Sequence, residues 1–109
     1  MKIRLYFDYE KDSTCFELLE ECKILNFTVP VGFCSDGASV PRILWSYCEP
    51  INGKYIKIFV LHDFLYYSHL TTRKEADTFL YELLKEAGMG TTKAWTIYES
   101  ARLFGGSHW

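Results

Sequence analysis

The stretch Leu61-His62-Asp63-Phe64-Leu65-Tyr66-Tyr67 sets an imidazole, a carboxylate and two phenols close together on a segment with no helix breaker. His62 and Tyr66 are four residues apart, which stacks them on one helix face, and that face also carries Ile58, Phe59 and Leu65. A titratable ring is thereby aimed inward. Asp63 sits about 100° further round the helix, where it flanks the same cleft without competing for the same partner. Asp77 lies on the next helical segment, three, four and seven residues before Leu80, Tyr81 and Leu84, at the border of an apolar stripe. If the two segments form an antiparallel hairpin through Ser68 to Thr72, Asp77 faces His62. A carboxylate so placed fixes the tautomer of a general-base histidine and stabilises the imidazolium it forms, with Tyr66 in support. The same residues also read as a core histidine satisfied by a carbonyl and a carboxylate, with Asp77 a first-turn acid favoured by the helix dipole.

A second cluster, Ser35-Asp36-Gly37-Ala38-Ser39, is small and polar. Gly37 lets the backbone approach a ligand or an oxyanion closely, and loop carbonyls with Asp36 and Asp63 suit a hard cation such as calcium. Ser39 is a nucleophile candidate that would complete a Ser, His, Asp set with His62 and Asp77, although no Gly-x-Ser-x-Gly elbow surrounds it. A plain turn and helix cap is the other reading of this loop. Arg73 beside Asp36 or Asp63 is expected to be a structural ion pair. The aromatics Trp45, Phe64, Tyr67, Phe79 and Trp95 are expected in the core rather than in a binding cage.

The elements that must position these groups change character along the chain. Ile3, Leu5 and Phe7 alternate with polar neighbours, the period-two pattern of a half-buried strand. Thr14 to Leu25 and Asn26 to Phe33 follow as further strands, with Pro30 marking an edge or bend. Pro41 is placed to open a short helix through Trp45, and Glu49-Pro50-Ile51-Asn52-Gly53 is a turn. Lys54 to His69 predicts a helix, and Thr72 with Glu75 predicts a capping box for the next, which Gly88 and Gly90 end. Thr91 or Thr92 starts a last helix carrying Ala94, Trp95, Tyr98, Ala101 and Arg102. The expected fold class is α+β, a small antiparallel N-terminal sheet packed against a helical hairpin and a C-terminal helix. Residues 1–109 are expected to be a single domain: 1–33 strand-rich, 34–53 loop and short helix, 54–109 helical.

With 109 residues, 49% hydrophobic, 17% aromatic and a net charge of −2, the chain is a well-cored globular domain and not a disordered one. Its scattered basic residues and near-neutral balance argue against a nucleic-acid partner. No apolar run approaches the roughly 20 residues of a transmembrane segment, and the alternating, acid-bearing start is unlike a signal peptide. Cys15, Cys22, Cys34 and Cys48 are spaced 7, 12 and 14 apart with no Cys-x-x-Cys pair, so zinc is not indicated, and reduced thiols are expected ahead of disulfides.

Several blocks in order carry a resemblance: Gly32-Phe33-Cys34-Ser35-Asp36-Gly37-Ala38-Ser39-Val40-Pro41-Arg42, Leu61-His62-Asp63-Phe64-Leu65-Tyr66, Arg73-Lys74-Glu75-Ala76-Asp77 and Phe104-Gly105-Gly106. From about Val31 onward the chain resembles the phage and prophage family termed domain of unknown function 1353. That resemblance implies a bacteriophage or prophage origin rather than a reaction, and with it a place in the host cytoplasm or the virion. A second, local similarity joins His62-Asp63-x-x-Tyr66 and Asp77 to the active-site helices of phospholipase A2, especially the compact viral forms. It implies His62 as the base that deprotonates water, Asp63 as a calcium ligand, Tyr66 as support and Asp77 as the group that orients His62. The glycine-dense calcium loop of those enzymes has only Asp36-Gly37-Ala38 as its counterpart. Two functions follow: an esterase-like or phospholipase-like hydrolase, or a non-catalytic virion component or host-interaction protein with a phage or host partner. In the second, His62, Asp63, Asp77 and Arg73 form a buried polar network that specifies packing.

Overall fold

Strand alternation in the first third of the chain produces two small antiparallel sheets where one was expected. The computed structural model describes residues 3–8, 13–35 and 53–109; Asp36, Gly37, Ser39, Trp45, the helix start at Pro41 and the turn from Glu49 to Asn52 lie outside them. Strand β1 (Ile3–Asp8) runs antiparallel to β2 (Ser13–Leu18), with Ile3 opposite Leu18 and Asp8 opposite Ser13. Short β5 (Cys34–Ser35) pairs with the other edge of β2, giving the order β1-β2-β5. Between them, β3 (Cys22–Ile24) and β4 (Phe27–Val29) make a separate hairpin. Its two-residue turn, Leu25-Asn26, holds Leu25 at a φ of 55°.

The single strand expected over Thr14 to Leu25 is therefore two strands. The backbone of Leu18 closes the first: its N–H donates to the Phe33 carbonyl at 3.0 Å, and its carbonyl accepts from the Gly32 N–H at 2.9 Å. Leu18 is fully buried, whereas Leu19 and Glu20 are exposed and carry the bend that redirects the chain into β3. A stretch whose first half is anchored in one sheet and whose second half folds back on β4 cannot remain one straight strand.

Three helices follow: α1 (Gly53–Ser68), α2 (Arg73–Glu86) and α3 (Thr91–Phe104), then a 3-10 turn over Gly105–His108. Helix α1 is less one-sided than its spacing suggested. Ile58, Phe59, Val60, Leu61 and His62 are all buried in succession, because β3, β4 and β5 contact the helix as well as α2. A helix apolar all round is a central one. Ile58 and Phe59 join Leu80 and Leu84 of α2, Met89, and Ala94, Ile97 and Ala101 of α3 in one cluster. Val60, Leu61, Leu65 and Tyr66 join Leu18, Cys22 and Val29 of the strands and Ala76 of α2 in the other. Each fully buried leucine stabilises the fold by roughly 1.5–3 kcal/mol relative to exposure. The fold class is α+β.

Helix ends follow local chemistry. Thr72 accepts from the Glu75 N–H while the Glu75 side chain accepts from the Thr72 N–H, a complete capping box. At the other end of α2, Gly88 takes a φ of 102°, its N–H reaches the Lys85 carbonyl, and the Met89 N–H reaches that of Leu84, a Schellman closure only cheap for glycine. Helix α3 is capped by Gly90, without a side-chain bond, and Thr91 is its first residue.

Two expectations about side chains are corrected here. Tyr67 and Trp95 are exposed, while Phe64 and Phe79 pack against the core. Cys22 is a free, buried thiol, and burial pushes its pKa up. Cys34 is disulfide-bonded, so the chain does not carry reduced thiols alone.

Candidate functional site

Helix α1 carries His62 and Tyr66 one turn apart, their rings tilted with centroids 4.5 Å from each other. The four-residue link from His69 to Thr72 returns the chain so that α2 lies against α1, and Asp77, in its second turn, enters the gap. His62 Nε2 lies 2.7 Å from Asp77 Oδ1. The Tyr66 hydroxyl donates to the same oxygen at 2.7 Å. On the other oxygen, Oδ2, Arg102 of α3 donates through Nη1 at 2.9 Å.

Burial decides how this cluster must be charged. The side chains of His62 and Asp77 are 1% and 0% exposed, against 32% for Arg102. A lone carboxylate at such a depth would be protonated. Burial does push the Asp77 carboxyl up, but the hydrogen bonds from His62, Tyr66 and Arg102 outweigh it and hold the group below the ordinary aspartate value. An ionised carboxylate only accepts hydrogen bonds, so the network assigns a proton to His62 Nε2. Burial, then the bond to Asp77 and its charge, raise the Tyr66 hydroxyl well above an ordinary phenol despite Arg73, so it remains a donor.

Arg73, at the start of α2, was expected to pair with Asp36 or Asp63. Instead its Nε donates to the Tyr66 hydroxyl oxygen at 3.2 Å, and its Nη2 donates to the carbonyls of Ala101 and Arg102 at 2.7 Å each. Both carbonyls lie in the last turn of α3, where a guanidinium interacts favourably with the negative end of the helix; that of Ala101 also accepts from the Gly105 N–H. Trp109 completes the surroundings, edge-on to Tyr66 at 5.2 Å and stacked on His69 at 3.9 Å.

The structure thus brings together His62, Tyr66, Asp77 and Arg73, and adds Arg102, which spacing alone did not single out as a site residue. Its signal was present: an arginine beside Ala101 on the inward stripe of α3 needs a carboxylate, and an inward Asp77 needs a cation. Asp63 is half-buried on α1. Asp36, Gly37 and Ser39 lie outside the described residues, and among the described residues no group of three or more His, Cys, Asp or Glu is placed to hold a metal ion.

A family model described as "Protein of unknown function (DUF1353)" matches residues 14–101, a span that holds His62, Asp63, Tyr66, Arg73 and Asp77 and stops one residue short of Arg102. The uncharacterized protein y4jT of Sinorhizobium fredii is 30% identical over 82 residues, which are 74% of this chain and 24% of that protein. The chain therefore spans about a quarter of the length of the curated relative it matches. No solved structure matches it. Among the described residues no helix is long and apolar enough to cross a membrane.

Proposed function

The chain belongs to the DUF1353 family of unknown function, and from that premise we propose that it is a hydrolase of ester bonds with His62 as general base. The observation that carries the proposal is the 2.7 Å contact between His62 Nε2 and a buried, ionised Asp77. With Nε2 protonated and held by Asp77, Nδ1 is the basic nitrogen of the ring. Nδ1 takes a proton from water as the water oxygen attacks the ester carbonyl. The imidazolium, stabilised by Asp77, then returns that proton to the departing alcohol as the ester C–O bond breaks. Tyr66 holds Asp77 in place through their hydrogen bond.

The Asp36-Gly37 loop and Asp63 are assigned to the oxyanion side, with calcium the cation suited to their carboxylates and carbonyls. Asp63 is the single member of that set among the described residues, so no step is routed through a metal. Ser39 is the alternative nucleophile, which His62 would deprotonate in place of water. The His62-Asp63-x-x-Tyr66 pattern, similar to phospholipase A2 helices, favours phospholipids as the ester class. Phage or prophage origin, action in the host cytoplasm or virion, and the organisation of residues 1–109 as one domain belong to the same proposal.

The near-complete burial of His62 and Asp77 favours a second reading, a structural network in a non-catalytic virion or host-interaction protein. Hydrolysis of short-chain esters and of phospholipid vesicles, with and without calcium, separates the two. Wild type is expected to turn over and His62→Ala to lose at least about 100-fold. Equal rates in the two proteins would end the catalytic proposal.

A further inference from the structure

Asp77 receives donors on both oxygens, and the two sides come from different helices. Oδ1 takes His62 and Tyr66 from α1; Oδ2 takes Arg102 from α3. A carboxylate held at Oδ1 alone can still turn about its last bond and exchange its oxygens. A donor on Oδ2 fixes the plane, and Arg102 also brings a permanent positive charge to a group that burial would otherwise neutralise.

Arg102 is itself held. Its carbonyl, with that of Ala101, accepts from Arg73 Nη2, and Arg73 Nε donates to the Tyr66 hydroxyl, which donates to Asp77. The bonds close a circuit from Asp77 through Tyr66, Arg73 and Arg102 back to Asp77, across all three helices. Each member fixes the next, so the carboxylate facing His62 is set in part by Arg102, 25 residues further along the chain.

We propose that Arg102 is a positioning residue, which, by clamping Oδ2 of Asp77 and being clamped in turn by Arg73, holds His62 in the single tautomer protonated at Nε2. The proposal rests on the reading of His62 as a base, but its primary readout is independent of turnover. Arg102 is about one-third exposed, so shortening or neutralising it opens no cavity in the core.

The test is two-bond 1H–15N spectroscopy of the histidine-labelled protein of residues 1–109 near neutral pH, with ester hydrolysis measured alongside. Wild type is expected to show His62 protonated at Nε2 with a downfield Nε2 proton. In Arg102→Gln, or Arg102→Met if that variant folds better, the downfield proton is expected to disappear and the nitrogen shifts to move toward a mixture of tautomers. Arg102→Lys, which keeps the charge, is expected to restore the wild-type pattern in large part. In hydrolysis, kcat is expected to fall about tenfold with KM unchanged, the scale typical of groups that orient a reacting residue. An unchanged His62 pattern in the neutral variant would overturn the positioning role, whatever happens to melting temperature. A changed pattern that lysine rescues, in a protein that cleaves no ester, would support the positioning role while removing the hydrolase reading.

Discussion

Asp77 is the residue on which the molecule's polar interior turns, because an acid with no exposure remains ionised only through its donors. Replacing it with asparagine keeps the shape but removes the charge that Arg102 and the imidazolium need. Asp77→Asn is expected to cost roughly 1–3 kcal/mol in urea unfolding and, on the hydrolase reading, to reduce turnover at least about 100-fold. The pH dependence has a definite sign. The folded carboxyl lies below the ordinary value, so its stabilisation is fully present above an unfolded value near 4 and is lost as pH falls through the lower folded value. The stability difference between wild type and Asp77→Asn is therefore expected to shrink below about pH 4. A gap that stayed constant from pH 7 to about pH 2 would refute the linkage.

At the scale of elements, the helices were more legible than the strands. Thr72 and Glu75 stand three apart, and the capping box, the stop at Gly88 and the hairpin link all depend on atoms within a turn or so of one another. Thr72→Ala is expected to destabilise by about 1 kcal/mol, read as a lower melting temperature with unchanged circular dichroism. The strand region gave weaker cues, since its pairing partners are chosen by contacts that no short window contains. The β3–β4 turn is a case in point. Leu25, exposed and at a φ of 55°, sits where side chains are disfavoured by about 1–2 kcal/mol. Leu25→Gly is expected to stabilise by about 0.5 kcal/mol, the relief of strain exceeding the extra flexibility of the unfolded chain. A loss of stability would show that the turn is not strained.

Across the whole molecule, α1 is shared by two apolar clusters, one with α2 and α3 and one with the strands. Leu84 and Leu65, both fully buried, lie in the first and second respectively. Truncation of either to alanine is expected to cost about 2–5 kcal/mol. Because the two clusters meet on one helix, each variant is expected to unfold in a single transition seen alike by far-UV circular dichroism and tryptophan fluorescence. Separated transitions in Leu65→Ala would show that the strands and the helices unfold independently.

The sequence by itself determined the α+β class, the inward His62–Tyr66 face from its four-residue spacing, and the bounds of α2 from its capping box and glycine stop. These are short-range matters, governed by helical periodicity and by bonds that close within a turn. Only the tertiary structure decided that Arg102 takes the second oxygen of Asp77, that Arg73 bonds α3 and Tyr66 instead of an acid, and that α1 is covered on both sides. The bonds of Arg102 to Asp77 and of Arg73 to α3 join residues 25 and 28 apart in the chain. Which donor reaches a buried carboxylate depends on how helices pack, and the packing follows from the apolar surface of the whole molecule.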